Sequence, residues 1–381
     1  MKVLIGIPCL LNGGTERQTL HLLKALRLCC HEVIVLCYFE YESEIVSEYR
    51  KEGSEVRLLE LDRKINSLQF IRKLIKEIRQ VKPEIVHIQY LTPGALPIIA
   101  ARLSGIKRVF ATIHYPYSQW HSMIAKLIVR FSSILTTRFI CVSQNAEQSW
   151  FGKSFLFDEN VSLNELSNHF TIYNTVDTGR ITALILKSDK SKLKKILNIY
   201  DDTFVIGTVS RLSYEKGVDI LIDSFISMLK LLQKIHLLVI GDGQDREHLI
   251  KKVLENGIQN SVTFYGRTEW STAIQMIGLM DIVVVPSRYE GFGLVALEAM
   301  AAGKPVVASN SFGLNEVVKN EETGLFFNSD DSKMLESKII RLYNDRTLRE
   351  VLGANGQIRC GSIFGVLQFR EKIELLYNQG Y

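Results

Sequence analysis

Short runs rich in Val and Ile recur along the chain, separated by longer segments in which apolar residues return every three to four positions. The short runs lack the apolar-polar alternation of a sheet with one wet face, so they read as strands buried on both faces of parallel sheets. In the first half they are KVLIGI, EVIVLC, EVRLLEL, EIVHIQ, RVFATI, RFICVS and HFTIYN, with helix-period segments such as Ser67 to Val81 between them. After Asn174 come FVIGTVS, HLLVIG, SVTFYG, IVVVPS, PVVAS and GLFFN. A strand-helix rhythm with right-handed crossovers predicts an α/β protein of two doubly wound domains facing each other, with ligands at the carboxyl ends of the strands. The polar stretch Lys187 to Lys195 marks the expected linker, which puts the first domain over 1–180 and the second over 196–365. A break around Gly361 to Gly365 sets off a helical end, 366–381, expected to pack back on the first domain.

The 381 residues suit two domains at about 100 to 200 residues each. With 46% hydrophobic and 23% charged residues the composition is that of a globular chain, not a disordered or fibrous one. The net charge of +5 reads as spread along the chain, so nucleic acid is not expected as a partner, while an acidic small substrate or an anionic membrane surface fits. Six cysteines show no spacing for zinc or a redox pair and read as buried small residues in a reducing compartment. MKVLIGIPCLL reads as a first strand and not a signal peptide, because Pro8 interrupts it and no small-residue cleavage site follows. The best spanning candidate, Ile124 to Ile140, is broken by Lys126 and Arg130, so the chain is expected to be cytoplasmic and at most peripheral on a membrane.

The most informative segment runs from Pro286 to Ser309. A strand ends at Pro286 and a helix begins near Gly293, so the backbone of Phe292, Gly293 and Leu294 lies where a helix start offers N–H groups to an anion. Glu290 and Glu298 flank this turn and suit sugar or ribose hydroxyls. In SRLSYEKG, Arg211 and Lys216 follow a strand and offer two cations to a diphosphate, although solvated loop residues would look the same. Gly13 and Gly14 follow the first strand and open a helix, where a phosphate cradle and a plain structural turn fit equally. His114 closes the strand RVFATI beside Tyr115 and Tyr117.

Taken in order, GGTER at Gly13, His114, YNTVD at Tyr173, SRLSYEKG at Ser210, GDG at Gly241, and Glu290 and Glu298 with seven residues between them resemble glycosyltransferase family 4 over nearly the whole chain. The resemblance implies the GT-B fold, two Rossmann-like domains across a cleft, and a retaining, metal-independent hexosyltransferase that takes a nucleotide-diphosphate sugar as substrate and needs no cofactor. It assigns the donor diphosphate to Arg211, Lys216 and the backbone of Phe292, Gly293 and Leu294, with Gly13 and Gly14 approaching the phosphate. Glu298 then takes the ribose, Glu290 the sugar hydroxyls, Arg267 the base, and His114 the sugar near the reacting carbon. Glu290, His114, Arg211 and Lys216 form the catalytic set, and uridine donors are the first expectation. Ser210 stands where the family usually has Gly, and Thr175 where NGVD is commoner. No contact to a charge is removed by either.

The acceptor side is less explicit. Trp120 to Phe139 mixes large apolar residues with Lys126, Arg130 and Arg138, which suits a helix lying on an anionic leaflet or one packed in the core with solvated charges. From the family, the expected acceptor is a glycan or lipid-linked glycan in bacterial surface polysaccharide or lipopolysaccharide synthesis. The competing readings are a GT-B hydrolase, phosphorylase or epimerase, and a non-catalytic nucleotide-sugar-binding assembly partner. A dinucleotide oxidoreductase ranks last, since no complete glycine fingerprint follows the first strand.

Overall fold

The computed structural model describes residues 1–90, 94–118, 121–158, 167–311 and 313–378. Among them, β1 (Lys2–Ile7), β2 (Glu32–Cys37), β3 (Glu55–Leu58), β4 (Ile85–Tyr90), β5 (Arg108–Ile113), β6 (Arg138–Cys141) and β7 (His169–Thr171) form a parallel sheet in the order β3-β2-β1-β4-β5-β6-β7. A second parallel sheet joins β8 (Phe204–Val209), β9 (Ile235–Ile240), β10 (Val262–Gly266), β11 (Ile282–Val285), β12 (Val306–Ser309) and β13 (Gly324–Phe327) in the order β10-β9-β8-β11-β12-β13. Each sheet grows outward from its first strand and then reverses, between β1 and β4 and between β8 and β11. Ligands in doubly wound sheets bind at the carboxyl ends of the strands beside such a reversal.

Burial on both faces explains the unbroken apolar runs. All six residues of β4 and all four of β11 are buried. In the first sheet, Val3, Ile5 and Ile7 join a core with Leu20, Leu23, Ile45 and Tyr49, while Leu4, Val86 and Ile88 join another with Phe70, Leu74 and Ile98. Each such Leu or Ile contributes about 1.5–3 kcal/mol of transfer free energy.

The chain divides into two compact units, Met1–Thr175 with Val366–Tyr381, and Val176–Gly365. The stretch expected as a linker is instead two helices of the second unit, Thr178–Leu186 and Lys190–Ile196, which moves the boundary from 180 back to 175. Each starts on an Asp cap: Asp177 accepts from the Arg180 N–H and Asp189 from the Lys192 N–H. Ile181 is fully buried, so the lysines mark a solvated helix surface and not a separator. The helix Val366–Asn378 contributes Ile373, Leu376 and Tyr377 to the first unit's core, and Arg108 Nη2 donates to the Tyr377 carbonyl at 2.6 Å. Residues 379–381 of the expected terminal helix lie outside the described residues.

The cysteine expectation holds for Cys37, Cys141 and Cys360, which are buried, but Cys9 and Cys29 are half-buried and Cys30 is exposed. Cys30 occupies a turn with φ of 60° where the first helix ends, and a turn faces solvent. Among the described residues no helix is long and apolar enough to cross a membrane.

Candidate active site

In the second unit, the chain leaves β8 through Ser210 and Arg211 and makes a short 3-10 turn, Tyr214–Lys216. Gly217 follows with φ of 65°, and a Cβ there would lie 2.1 Å from the Pro286 carbonyl oxygen. Only glycine permits that approach. It brings Lys216 against the loop after β11, where its Nζ lies 2.8 Å from Glu290 Oε2, both side chains about one-fifth exposed. Glu290 also accepts from Ser287 Oγ and from the Gly291 N–H, each at 3.2 Å. A lysine and a glutamate with no local sequence relation thus form one charged pair at the strand ends.

Arg288 holds the two loops together. Its guanidinium donates in a fork to both Asp219 oxygens at 2.8 and 2.7 Å, to the Tyr214 carbonyl at 2.7 Å and to Asp330 at 2.6 Å, and lies 4.1 Å from the Tyr214 ring centre. The hydrogen bonds and ion pairs to Asp219 and Asp330 hold the charged form so firmly that its pKa rises further. Sequence reasoning passed over Arg288 although it sits two residues before Glu290; only its partner Asp219, far away in the chain, reveals its job.

The next helix, Leu294–Ala301, starts on Gly293 with φ of 99°, with no side-chain cap and no acidic residue in its first turn. Phe292 is buried against Phe364, with ring centres 5.7 Å apart, which fixes the turn from below. Glu298 accepts from Trp270 Nε1 at 2.6 Å, and Arg180 lies over the Trp270 ring at 4.9 Å. Trp270 is a second residue the sequence reading missed. GDG packs under the loop that carries Arg211, through Leu212 N–H to the Asp242 carbonyl at 2.9 Å and Asp245 N–H to the Leu212 carbonyl at 3.0 Å. Arg211 itself is exposed and pairs with Glu215, the residue next to Lys216, at 2.7 Å. Arg267 is exposed where β10 ends.

In the first unit, Gly13 caps the helix Gly14–Leu28 with extended backbone. The space above it holds Glu16: a Cβ on Gly13 would lie 2.5 Å from Glu16 Oε2. The Glu16 carboxylate accepts from Cys9 Sγ at 3.3 Å and from the Glu16 and Leu11 backbone N–H groups. Burial raises its pKa despite these bonds. Burial, and then the charge of Glu16, push the Cys9 thiol up to about 12.

His114 is buried at the end of β5, and its Nε2 lies 2.7 Å from Gln89 Oε1. Burial pushes its pKa down to about 3. The ring is therefore neutral near pH 7, and with Nε2 donating to the amide oxygen, Nδ1 is left as an acceptor. Thr175, the departure from NGVD, has its backbone held twice by Gln18, N–H to Oε1 and carbonyl to Nε2, each at 2.9 Å. Neither backbone bond depends on which side chain stands at 175.

Two family models match this chain in series: Glycosyltransferase Family 4 over residues 12–153 and glycosyl transferases group 1 over residues 189–359. The capsular polysaccharide biosynthesis glycosyltransferase CapM of Staphylococcus aureus is 32% identical over 223 residues, 55% of this chain and 56% of that protein. The UDP-Gal:alpha-D-GlcNAc-diphosphoundecaprenol alpha-1,3-galactosyltransferase of Escherichia coli is 26% identical over 330 residues, 82% of this chain and 80% of that protein. Matches to the first curated relatives span 47% to 60% of those proteins' length. Among solved structures, Anabaena Alr3699/HepE in complex with UDP and glucose superposes with a TM-score of 0.83 over 100% of both chains at 22% identity, a likeness of fold.

Proposed function

Because this chain belongs to glycosyltransferase family 4 and carries the two Rossmann-like units of the GT-B fold, we propose that it is a retaining, metal-independent glycosyltransferase. Its donor is a nucleotide-diphosphate sugar, with UDP-sugars the first candidates, since HepE is seen with UDP and glucose. Its acceptor is a glycan or lipid-linked glycan of a bacterial surface polysaccharide or lipopolysaccharide, reached from the cytoplasmic side of the membrane. CapM and the Escherichia coli galactosyltransferase, by their names, support that direction.

The observation that carries the reading is the Lys216–Glu290 pair beside a helix start with no acidic residue in its first turn. Lys216, Arg211 and the N–H groups around Gly293 neutralise the charge that grows on the leaving diphosphate, the largest electrostatic demand of the reaction. Glu290 accepts from the sugar hydroxyls, Glu298 from the ribose, and Arg267 approaches the base. Gly13 and Gly14 approach the phosphate from the first unit. Neutral His114 offers the sugar a hydrogen bond and not a charge. The bond from the anomeric carbon to the diphosphate oxygen breaks while the acceptor oxygen bonds to the same face of that carbon. The acceptor's proton passes to the departing phosphate oxygen, so no separate protein base is needed, and a histidine near 3 would be a poor one.

A thermal-shift panel of UDP-, GDP- and ADP-sugars tests this on the wild type, Lys216→Ala and Glu298→Ala. One nucleotide class should raise the wild-type midpoint, a ligand at 100 times its Kd adding about 2.7 kcal/mol, and both substitutions should abolish the rise. A folded wild type that no nucleotide sugar shifts sinks the proposal. Product of inverted configuration, or turnover abolished by a chelator, removes the retaining or the metal-independent part.

A further inference from the structure

The helix Met123–Leu135 is turned inside out. Its buried residues are Val129, Ser132 and Ser133, while Met123, Ile124, Leu127, Ile128, Phe131 and Ile134 are 45% to 74% exposed. At about 100° per residue the six apolar side chains fall in one arc of about 140°, opposite the buried Ser132, Ser133 and Val129. An ordinary surface helix does the reverse, packing its apolar stripe inward. Lys126 and Arg130 border the exposed stripe along one edge; Lys126 Nζ lies 4.7 Å from the centre of the Tyr117 ring and Arg130 Nε donates to the Trp150 carbonyl at 2.9 Å. Arg102 closes the far end, donating to the Leu135 carbonyl at 2.6 Å, with exposed Lys107 and Leu103 beside it. Trp120, where the sequence reading began this segment, lies outside the described residues.

The sequence around this helix is one-sided in charge, although Arg138 is buried and Arg108 is turned to the Tyr377 carbonyl. From Ile85 to Ala146 the sequence has no Asp or Glu, but it has Arg102, Lys107, Arg108, Lys126, Arg130 and Arg138. With those six set aside the chain has 40 cations against 41 carboxylates, so the net charge of +5 is not spread along the chain as its composition suggested. It comes from this stretch.

We propose that the Met123–Leu135 helix is an interfacial membrane anchor, which lays its apolar arc into the surface of an anionic phospholipid leaflet while the bordering cations meet the headgroups. An apolar arc rimmed by cations, in a stretch of sequence without Asp or Glu, complements a negative lipid surface. A second copy of the same face would set like charges against each other. At 13 residues the helix is too short to span a bilayer but long enough to lie on one. The purpose of the anchor rests on the transferase reading, since it would hold the first unit where a lipid-linked acceptor resides; the binding itself does not.

Co-sedimentation of the full chain with vesicles tests it, using phosphatidylcholine alone and phosphatidylcholine with phosphatidylglycerol in equal parts. The wild type should bind the mixed vesicles and release them at high salt. Leu127→Ser, Phe131→Ser and Ile134→Ser together should lower the partition at least ~10-fold, and Lys126→Glu alone should lower it less and only for mixed vesicles. The combined variant should keep the wild-type thermal midpoint and the wild-type shift with nucleotide sugar, which separates this proposal from the donor assignment. A Leu127→Trp variant should show added blue-shifted emission on mixed vesicles. Absence of wild-type binding, binding that survives the triple substitution, or a dimer that the triple substitution dissolves without any vesicle binding would each overturn the proposal.

Discussion

Two helices of this protein begin alike in sequence: an apolar strand, a glycine turn, then Gly14–Leu28 in one unit and Leu294–Ala301 in the other. Their ends are furnished differently. The first brings its own carboxylate, Glu16, which folds back over Gly13 and its neighbouring N–H groups at the cost of desolvation. The second has no acid in its first turn; Glu290, in the turn before it, takes the Gly291 N–H and pairs with Lys216, and Glu298, further along the helix, accepts from Trp270. A glycine-led helix start is therefore only an offer of positive potential; the residue in the first turn decides whether a carboxylate of the helix itself answers it.

The sharpest way to break this contrast is at Glu290. Glu290→Gln keeps the shape but removes the charge opposite Lys216, and turnover should fall by about 100- to 1,000-fold, read as kcat with the donor saturating. An unchanged kcat would place the chemistry elsewhere. Next come the two glycines. Gly293→Ala forces φ of 99° on a residue whose Cβ would meet Leu314 Cδ2 at 2.6 Å, and should cost about 1–3 kcal/mol in a urea titration. Gly13→Ala meets only the mobile end of Glu16 in extended backbone and should cost under about 1 kcal/mol. Equal losses would erase the distinction between the two ends.

The smallest effect concerns Glu16→Gln. Because burial raises the Glu16 pKa, the folded chain keeps a proton that the unfolded chain has already released. Its contribution to stability is therefore present at low pH and declines as pH rises from the ordinary glutamate range through the raised value. Glu16→Gln should flatten that slope, with a change below about 1 kcal/mol at neutral pH, read from denaturation midpoints across pH. A slope that persists in the variant belongs to another group.

The strands were legible because a buried parallel strand writes itself as an uninterrupted Val and Ile run, and IVVV or KVLIGI needs no partner to be recognised. The glycine turns and the charged residues around them were legible for a similar reason, since each is a local pattern. What escaped were arrangements that exist only after folding. Arg288 finds Asp219 and Trp270 finds Glu298 across different loops, and no periodicity encodes either pair. The unit boundary was misplaced because Lys187 to Lys195 has linker-like composition, while the buried Ile181 and the two Asp caps that mark the helices on either side of Lys187 are single residues.

The helix Val366–Asn378 has a consequence for how the chain is made. Its Tyr377 hydroxyl bonds His87 Nδ1, and with Ile373 and Leu376 it completes the core built on β1. The unit that leaves the ribosome first is thus finished last: at about 5–20 residues per second it waits tens of seconds while Val176–Gly365, a continuous stretch, emerges whole. During that interval the apolar surface that Ile373, Leu376 and Tyr377 later cover stays open in the nascent first unit.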